Sequence, residues 1–301
     1  MDTDCDIVQW RNDYPIDYNK MAEAIINYPA GYQREMYECI YKITRRYIPQ
    51  KLYKYYSLTE DDGHENFASL NNKKFQTLSK KQLYLSSYAE LNDPFEGRGF
   101  FTNLGIKHDS FFEFLLSNIR LTSLTGSGVN SMPMWAHYSN NHRGFCVAYD
   151  MTTKDNFMLC ASTFPIEYRE HRLDTTKVMQ EQIEKMIHEK ENTMMNGQKK
   201  IMIRDETLPL MSNLLVNIKH ISWKYENEFR YTTCLPVDCD GRQPCYIPAT
   251  PQEIYIGSNC LAHHADELLS IGKMQSIPVY RMANAKATSD FALPPVQVYI
   301  P

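Results

Sequence analysis

Hydrophobic positions recur along the chain at two spacings. Spacings of three and four mark amphipathic helices, and a spacing of two marks strands. Met21, Ile25, Ile26, Met36, Ile40 and Ile43 recur at helical intervals over residues 17–48, and Pro29-Ala30-Gly31 splits that run. Val178, Ile183, Met186, Ile187 and Met194 form one stripe of a long helix predicted over 175–200, with a second helix at about 207–220. Shorter helices are predicted at 66–70, at 109–118 behind an Asp109 N-cap, at 133–139 and at 262–272. Period-two alternation predicts a strand over 223–233, WKYENEFRYTT. Short strands are predicted at 51–56, 83–87, 119–124, 144–149, 253–256 and 277–281.

This order predicts an α+β fold. It is a single domain with a mixed or antiparallel central sheet of short strands flanked by helices, and with a helical insertion at about 170–222. Residues 1–50 form an N-terminal helical segment ahead of the α+β domain at 51–301. There is no internal repeat and no Pro/Gly/Ser-rich linker.

Composition narrows the class. At 301 residues with 43% apolar and 23% charged positions, the chain is neither disordered nor collagen-like. A net charge of -4 excludes a bulk positive field of the kind that binds nucleic acid. The opening MDTDCDIVQWRNDYP has no basic and apolar regions of a signal peptide, and no apolar run is long enough to span a membrane. A cytoplasmic protein with reduced thiols is expected. Of 8 cysteines, only Cys234, Cys239 and Cys245 cluster, at spacings unlike common zinc patterns, so no metal is expected. The 12 glycines form no phosphate-cradling loop, whereas 21 tyrosines supply rings with hydrogen-bonding tips.

Three segments carry candidate chemistry. In Leu91-Asn92-Asp93-Pro94-Phe95-Glu96-Gly97, a turn places Asn92 beside a possible carboxylate pair, Asp93 and Glu96. In the run 134–144, Trp135 and Tyr138 can stack on a flat ring, His137 and His142 can exchange protons, and Arg143 can pair with phosphate. His137 and His142 are five apart and do not share a helix face as zinc ligands do. Alternation over 223–230 puts Trp223, Tyr225, Asn227 and Phe229 on one face, and Lys224, Glu226, Glu228 and Arg230 on the other. Adjacent carboxylates on that face repel, which raises the pKa of one. Such a pair suits proton transfer or stabilisation of a sugar cation. The plainer reading is a solvated face of paired charges.

The strings LYKYYSL (52–58), LYLSSYAELNDPFEG (83–97), LTSLT (121–125), MWAHYSNNHRGFCVAYD (134–150) and WKYENEFR (223–230) resemble the bacterial family catalogued as domain of unknown function 2971. The resemblance implies a cytosolic prokaryotic protein of the accessory or phage-defence kind and brings no activity. The order of strands is also similar to that of the ADP-ribosyltransferase superfamily. That similarity implies NAD as substrate. Lys54 or Tyr55 would lie on the first strand, Tyr84 or Ser86 on the second, and Glu228 would be the catalytic carboxylate bonding the ribose. Glu226 would then orient or deprotonate the acceptor. The first strand carries no His or Arg, and the second no Ser-Thr-Ser.

Three functions follow as expectations. The first is an NAD-using toxin or defence enzyme with Glu228, Glu226 and His137 as catalytic groups. Tyr55, Asn92, Asp93, Glu96, Trp135, Tyr138, His142, Arg143, Lys224 and Arg230 would surround the substrate, and the acceptor would be protein or nucleic acid. The second is a binding protein that senses a nucleotide or a partner without turnover. The third is a metal-dependent hydrolase or nuclease built on Asp93, Glu96, His137 and His142.

Overall fold

A computed structural model describes residues 48–59, 65–103, 113, 116–176, 215–235, 244–283 and 291–301, with four isolated positions between 180 and 188. Its strands are β1 (Lys51–Tyr56), β2 (Gln82–Ser87), β3 (Phe100–Phe101), β4 (Ile119–Thr125), β5 (Phe145–Asp150), β6 (Thr163–Pro165), β7 (Glu167–Arg169), β8 (Leu173–Asp174), β9 (Ile218–His220), β10 (Glu228–Cys234), β11 (Cys245–Pro248), β12 (Glu253–Ile256), β13 (Val279–Met282) and β14 (Pro295–Tyr299). The helices are α1 (Glu65–Ser79), α2 (Met132–Tyr138), α3 (Phe157–Ala161) and α4 (Ala262–Gln275). The α+β class holds, and the sheet is mixed but mostly antiparallel.

Ten strands form the main sheet in the order β11-β2-β4-β1-β5-β12-β13-β14, with β10 on the second edge of β4 and β6 beyond it. The only parallel pair within it, among the described residues, is β12 with β13, joined by the α4 crossover. Strand alternation sorts the side chains into two layers. On β1, Leu52 and Tyr56 join one core with Phe145, Val147 and Tyr149 of β5, under Phe75 of α1 and Leu268 of α4. Tyr53 and Tyr55 turn to the other layer, with Cys146, Ala148, Tyr255 and Trp135 of α2. Each such apolar burial stabilises the fold by about 1.5–3 kcal/mol.

The sheet forks at β4. Along Ile119–Thr125 one edge is taken throughout by β10. The other edge meets β2 at Arg120 and Leu121 and β1 at Thr125. Thr122, Ser123 and Leu124 therefore have no strand beside them on that edge, among the described residues.

Some sequence expectations change. The short helix at 66–70 extends to Ser79. The tail of the helix expected at 207–220 is instead β9, whose Ile218, Lys219 and His220 pair in parallel with β7. The strand expected over 223–233 begins only at Glu228. Before it, Ile221–Glu226 is a 3-10 helix, stopped by Asn227 at φ 44. Asn accepts this left-handed conformation because its short polar side chain bonds locally. The insertion is thus bounded by short strands, β8 and β9. β3, β6, β7, β8, β11 and β14 have no counterpart among the strands expected from the sequence. The N-terminal helices expected over 17–48 fall, apart from Ile48, outside the described residues, as do most of 109–118 and 175–200.

Candidate active site

The fork opens into a cleft of about 330 Å³ on the layer opposite the α1/α4 core. Its floor is Leu121–Thr125 of β4, and its walls come from Tyr53, Lys54 and Tyr55 of β1, Ser86 of β2, and His137 and Tyr138 of α2. Pro133 lies in the first turn of α2, where its missing N–H costs no hydrogen bond. The helix ends in three left-handed residues, Asn140, Asn141 and His142, before the chain enters β5. That turn sets His137 and Tyr138 at the cleft.

Glu228 and Arg230 project into the cleft from β10, while Phe229 between them enters the core. Arg230 Nε donates to Glu228 Oε1 at 2.6 Å, and Nη2 to Oε2 at 3.1 Å. Arg230 also holds Glu96 through both of its carboxylate oxygens, and its Nη1 donates to the Val216 carbonyl at 2.6 Å. Lys219 Nζ bridges the two glutamates, 2.7 Å from Glu226 Oε2 and 3.2 Å from Glu228 Oε2. The Tyr138 hydroxyl donates to Glu226 Oε1. The Tyr168 hydroxyl accepts the Glu228 N–H at 2.9 Å. Glu96, Glu226, Glu228, Lys219 and Arg230 are all buried.

Electrostatics push the two glutamates apart. Burial raises the Glu228 carboxyl, but the Arg230 and Lys219 charges outweigh it and hold the group at about 2. Burial raises Glu226, and the negative charge of Glu228 raises it further, against Lys219 and Tyr138. Burial lowers the Lys54 ammonium to about 8, although Glu228 opposes this. Lys54 Nζ donates to the Ser123 carbonyl at 3.2 Å and so fills part of the missing-strand edge. Thr122 Oγ1 is buried on the floor with no hydrogen-bond partner among the described residues. A buried orphan hydroxyl in a cleft is costly unless a ligand or water satisfies it.

Of the residues proposed from sequence, Tyr55, Asn92, Glu96, His137, Tyr138, Glu226, Glu228 and Arg230 meet at this cleft. The supposed single charged face does not form, because Glu226 sits on the 3-10 helix and Lys224 is exposed outside the cleft lining. Asp93 and Glu96 do not pair as carboxylates. Asp93 caps the Phe95 N–H at 2.9 Å, while Glu96 binds Arg230. Trp135 is fully buried behind the wall, with Nε1 bonded to the Val129 carbonyl at 2.7 Å and its ring edge-on to Tyr55. His142 stacks on Trp135, 6.0 Å between ring centres, and burial lowers its pKa. Arg143 is exposed at the same turn, outside the cleft lining. Asp93, Glu96, His137 and His142 therefore form no common metal site, and no group of metal-ligating side chains occurs among the described residues. Cys234 is exposed and Cys245 half-buried, while Cys239 lies outside the described residues.

Sequence reasoning missed Lys219, Thr122 and Ser123. Lys219 had a signal, as the lone cation in the apolar run LLVNIKHI.

Residues 134–231 match the model of a family described as protein of unknown function, DUF2971. The resemblance drawn from the sequence strings is thus shown over these residues. No curated protein and no solved structure matches the chain. The similarity in strand order to the ADP-ribosyltransferase superfamily gains no match. No helix among the described residues is long and apolar enough to cross a membrane.

Proposed function

We propose that the fork cleft is the active site of an ADP-ribosyltransferase-like enzyme that uses NAD as substrate, in a cytoplasmic toxin or phage-defence role. The observation that carries this reading is the opposite displacement of Glu226 and Glu228 around one ammonium, Lys219. Environments that separate two carboxyl groups in this way assign one to charge and the other to proton transfer. Glu228 stays ionised, and its negative field favours the oxocarbenium ion as the ribosyl C–N bond breaks and nicotinamide leaves with the electron pair. Glu226 accepts the proton of the attacking acceptor. Tyr55 and Tyr138 supply the aromatic wall, and Lys54 faces the diphosphate. Arg230 and Lys219 already occupy both oxygens of Glu228 and offset its charge, so gripping the ribose as the superfamily resemblance implied, or stabilising the cation, requires one of these partners to turn away when substrate binds.

Nicotinamide release from NAD, followed chromatographically, tests this reading. The wild type is expected to release it, and Glu226→Gln and Glu228→Gln to lose release while keeping a cooperative thermal transition. Undiminished release by both variants, or none by the wild type with protein and nucleic-acid acceptors present, overturns it. The saturation of Glu228 by its own neighbours favours a second reading, a binding protein without turnover. Saturable thermal stabilisation by NAD or ADP-ribose with no product formed is its expected signature.

A further inference from the structure

Three cations line the fork cleft, and they are not alike. Lys219 is bonded to Glu226 and Glu228, and Arg230 to Glu228 and Glu96. Lys54 has no carboxylate partner among the described residues. It follows Tyr53, the residue through which β1 meets Thr125 of β4, and its side chain reaches into the gap beyond that pair. Its Nζ makes one hydrogen bond there, to the Ser123 carbonyl at 3.2 Å, and lies 5.6 Å from the centre of the Tyr56 ring. A lysine head group has three protons to donate, so the strand edge occupies one and the cleft faces the others.

Lys74 makes the contrast. Burial lowers its ammonium too, but it lies outside the cleft lining, and Ser57 holds it twice, by the carbonyl at 2.6 Å and the hydroxyl at 3.2 Å. Lys54 is half-buried and belongs to the lining, so its nitrogen is within reach of a bound molecule. Burial without a paired carboxylate brings it to about 8. Roughly a tenth of it is then free amine at pH 7, against less than about a thousandth of an ordinary lysine.

We propose that Lys54 is a nucleophilic amine that forms an imine with an aldehyde or ketone bound in the cleft. Desolvated lysines in small-molecule cavities serve this chemistry, and about 330 Å³ suits a small carbonyl compound. The Nζ lone pair adds to the carbonyl carbon, and one amine proton passes to the oxygen. The hydroxyl then leaves as water with the second amine proton, and the C–N bond becomes double. Nothing is oxidised or reduced, and the carbonyl compound is the only co-reactant. Departure of the hydroxyl is helped by a weak acid, and Glu226, displaced upward, lines the same cleft. The inference goes beyond the NAD reading and does not rest on it. As an ammonium Lys54 faces an anion, and as an amine it adds to a carbonyl.

Brief incubation with propanal or acetone, without NAD, followed by sodium borohydride and peptide mass spectrometry, tests the imine. The reduced adduct is expected on Lys54 at least about tenfold faster than on Lys74 or on the exposed Lys73, and to saturate with probe concentration. Trapping of either probe supports the site, and the faster one tells aldehyde from ketone. Lys54→Arg keeps the charge but offers no such amine, and it is expected to lose the fast site with an unchanged thermal midpoint. Should that variant fail to fold, the rates of Lys54 and Lys74 within the wild type decide. The proposal is overturned if Lys54 is trapped no faster than Lys73, if Lys74 is trapped as fast, if the adduct forms without borohydride, or if a fast site persists in folded Lys54→Arg. Nicotinamide release is read in a separate assay, so failure of either reading leaves the other standing.

Discussion

Arg230 grips Glu228 from two positions further along the same strand, with 2.6 Å from Nε to Oε1 and 3.1 Å from Nη2 to Oε2. The same guanidinium reaches Glu96 and the carbonyl of Val216. One side chain thereby ties β10, the turn after β2 and the segment before β9 into a single wall.

Replacing Arg230 by Met is expected to destabilise the fold by about 3–5 kcal/mol, because it strands two buried carboxylates without a partner. Arg230→Lys recovers only part of this, since a point ammonium cannot span both groups as the planar fork does. Urea midpoints give the comparison, and a Met variant as stable as the wild type contradicts the account.

Acid stability has a defined direction. Glu228 sits at about 2 in the folded chain against an ordinary 4.5, so the unfolded chain takes up its proton first as the pH falls. Its contribution is complete above about 4.5 and is lost on descent toward about 2. Glu226 is displaced upward, so its ionisation costs stability as the pH rises. Glu228→Gln is expected to flatten the acid limb of stability against pH, and Glu226→Gln to steepen it. Denaturant midpoints between about pH 2 and 7 read both slopes.

Lys54 is expected to titrate at about 8, well below the ordinary 10.5, because burial disfavours its charge. Selective lysine labelling and NMR should show one such resonance, absent in Lys54→Met. If this ammonium faces the diphosphate of a substrate, affinity for NAD falls as the pH rises through about 8. Lys54→Arg, which keeps its charge, is then expected to hold affinity at higher pH.

Local pattern carried much of this site into view from the sequence, and long-range pairing hid the rest. Alternation placed Phe229 opposite Glu228 and Arg230, which the core and the cleft reproduce. It failed one turn earlier, because a single left-handed residue, Asn227, resets the face on which Glu226 lies. Asparagine in a run of aromatic and charged residues gave no period to detect. Trp135 was legible as important and misread as a wall of the cleft, since burial of an indole depends on what packs behind it. The fork at β4 was not readable at all. It depends on β1 and β2 sharing one edge of a strand distant from both in sequence. Lys219 joins the site only because β9 pairs with β7, across the insertion.

The final prediction concerns the turn that aims α2 at the cleft. Three consecutive non-glycine residues are left-handed there, at φ 51, 53 and 65. They are held from outside: Asn140 Nδ2 donates to the Leu58 carbonyl at 2.8 Å, and the Asn259 N–H donates to the His142 carbonyl at 3.0 Å. The chain then enters β5 through Gly144, where a methyl group would lie 1.8 Å from the carbonyl oxygen of Tyr56. That neighbour is backbone of β1, paired with β5 through the Tyr56 and Phe145 register, and it cannot yield without opening the ladder. Gly144→Ala is therefore expected to destabilise the fold by about 3 kcal/mol or more, by the strain of a displaced strand. Gly128 is the matched control. Nothing lies within 4 Å of its added methyl, and only its φ of +71 is unfavourable. Gly128→Ala should cost about 1–2 kcal/mol. Thermal midpoints of the two variants measured side by side decide the matter, and an equal loss in both would show that the β1–β5 contact is not what fixes the turn.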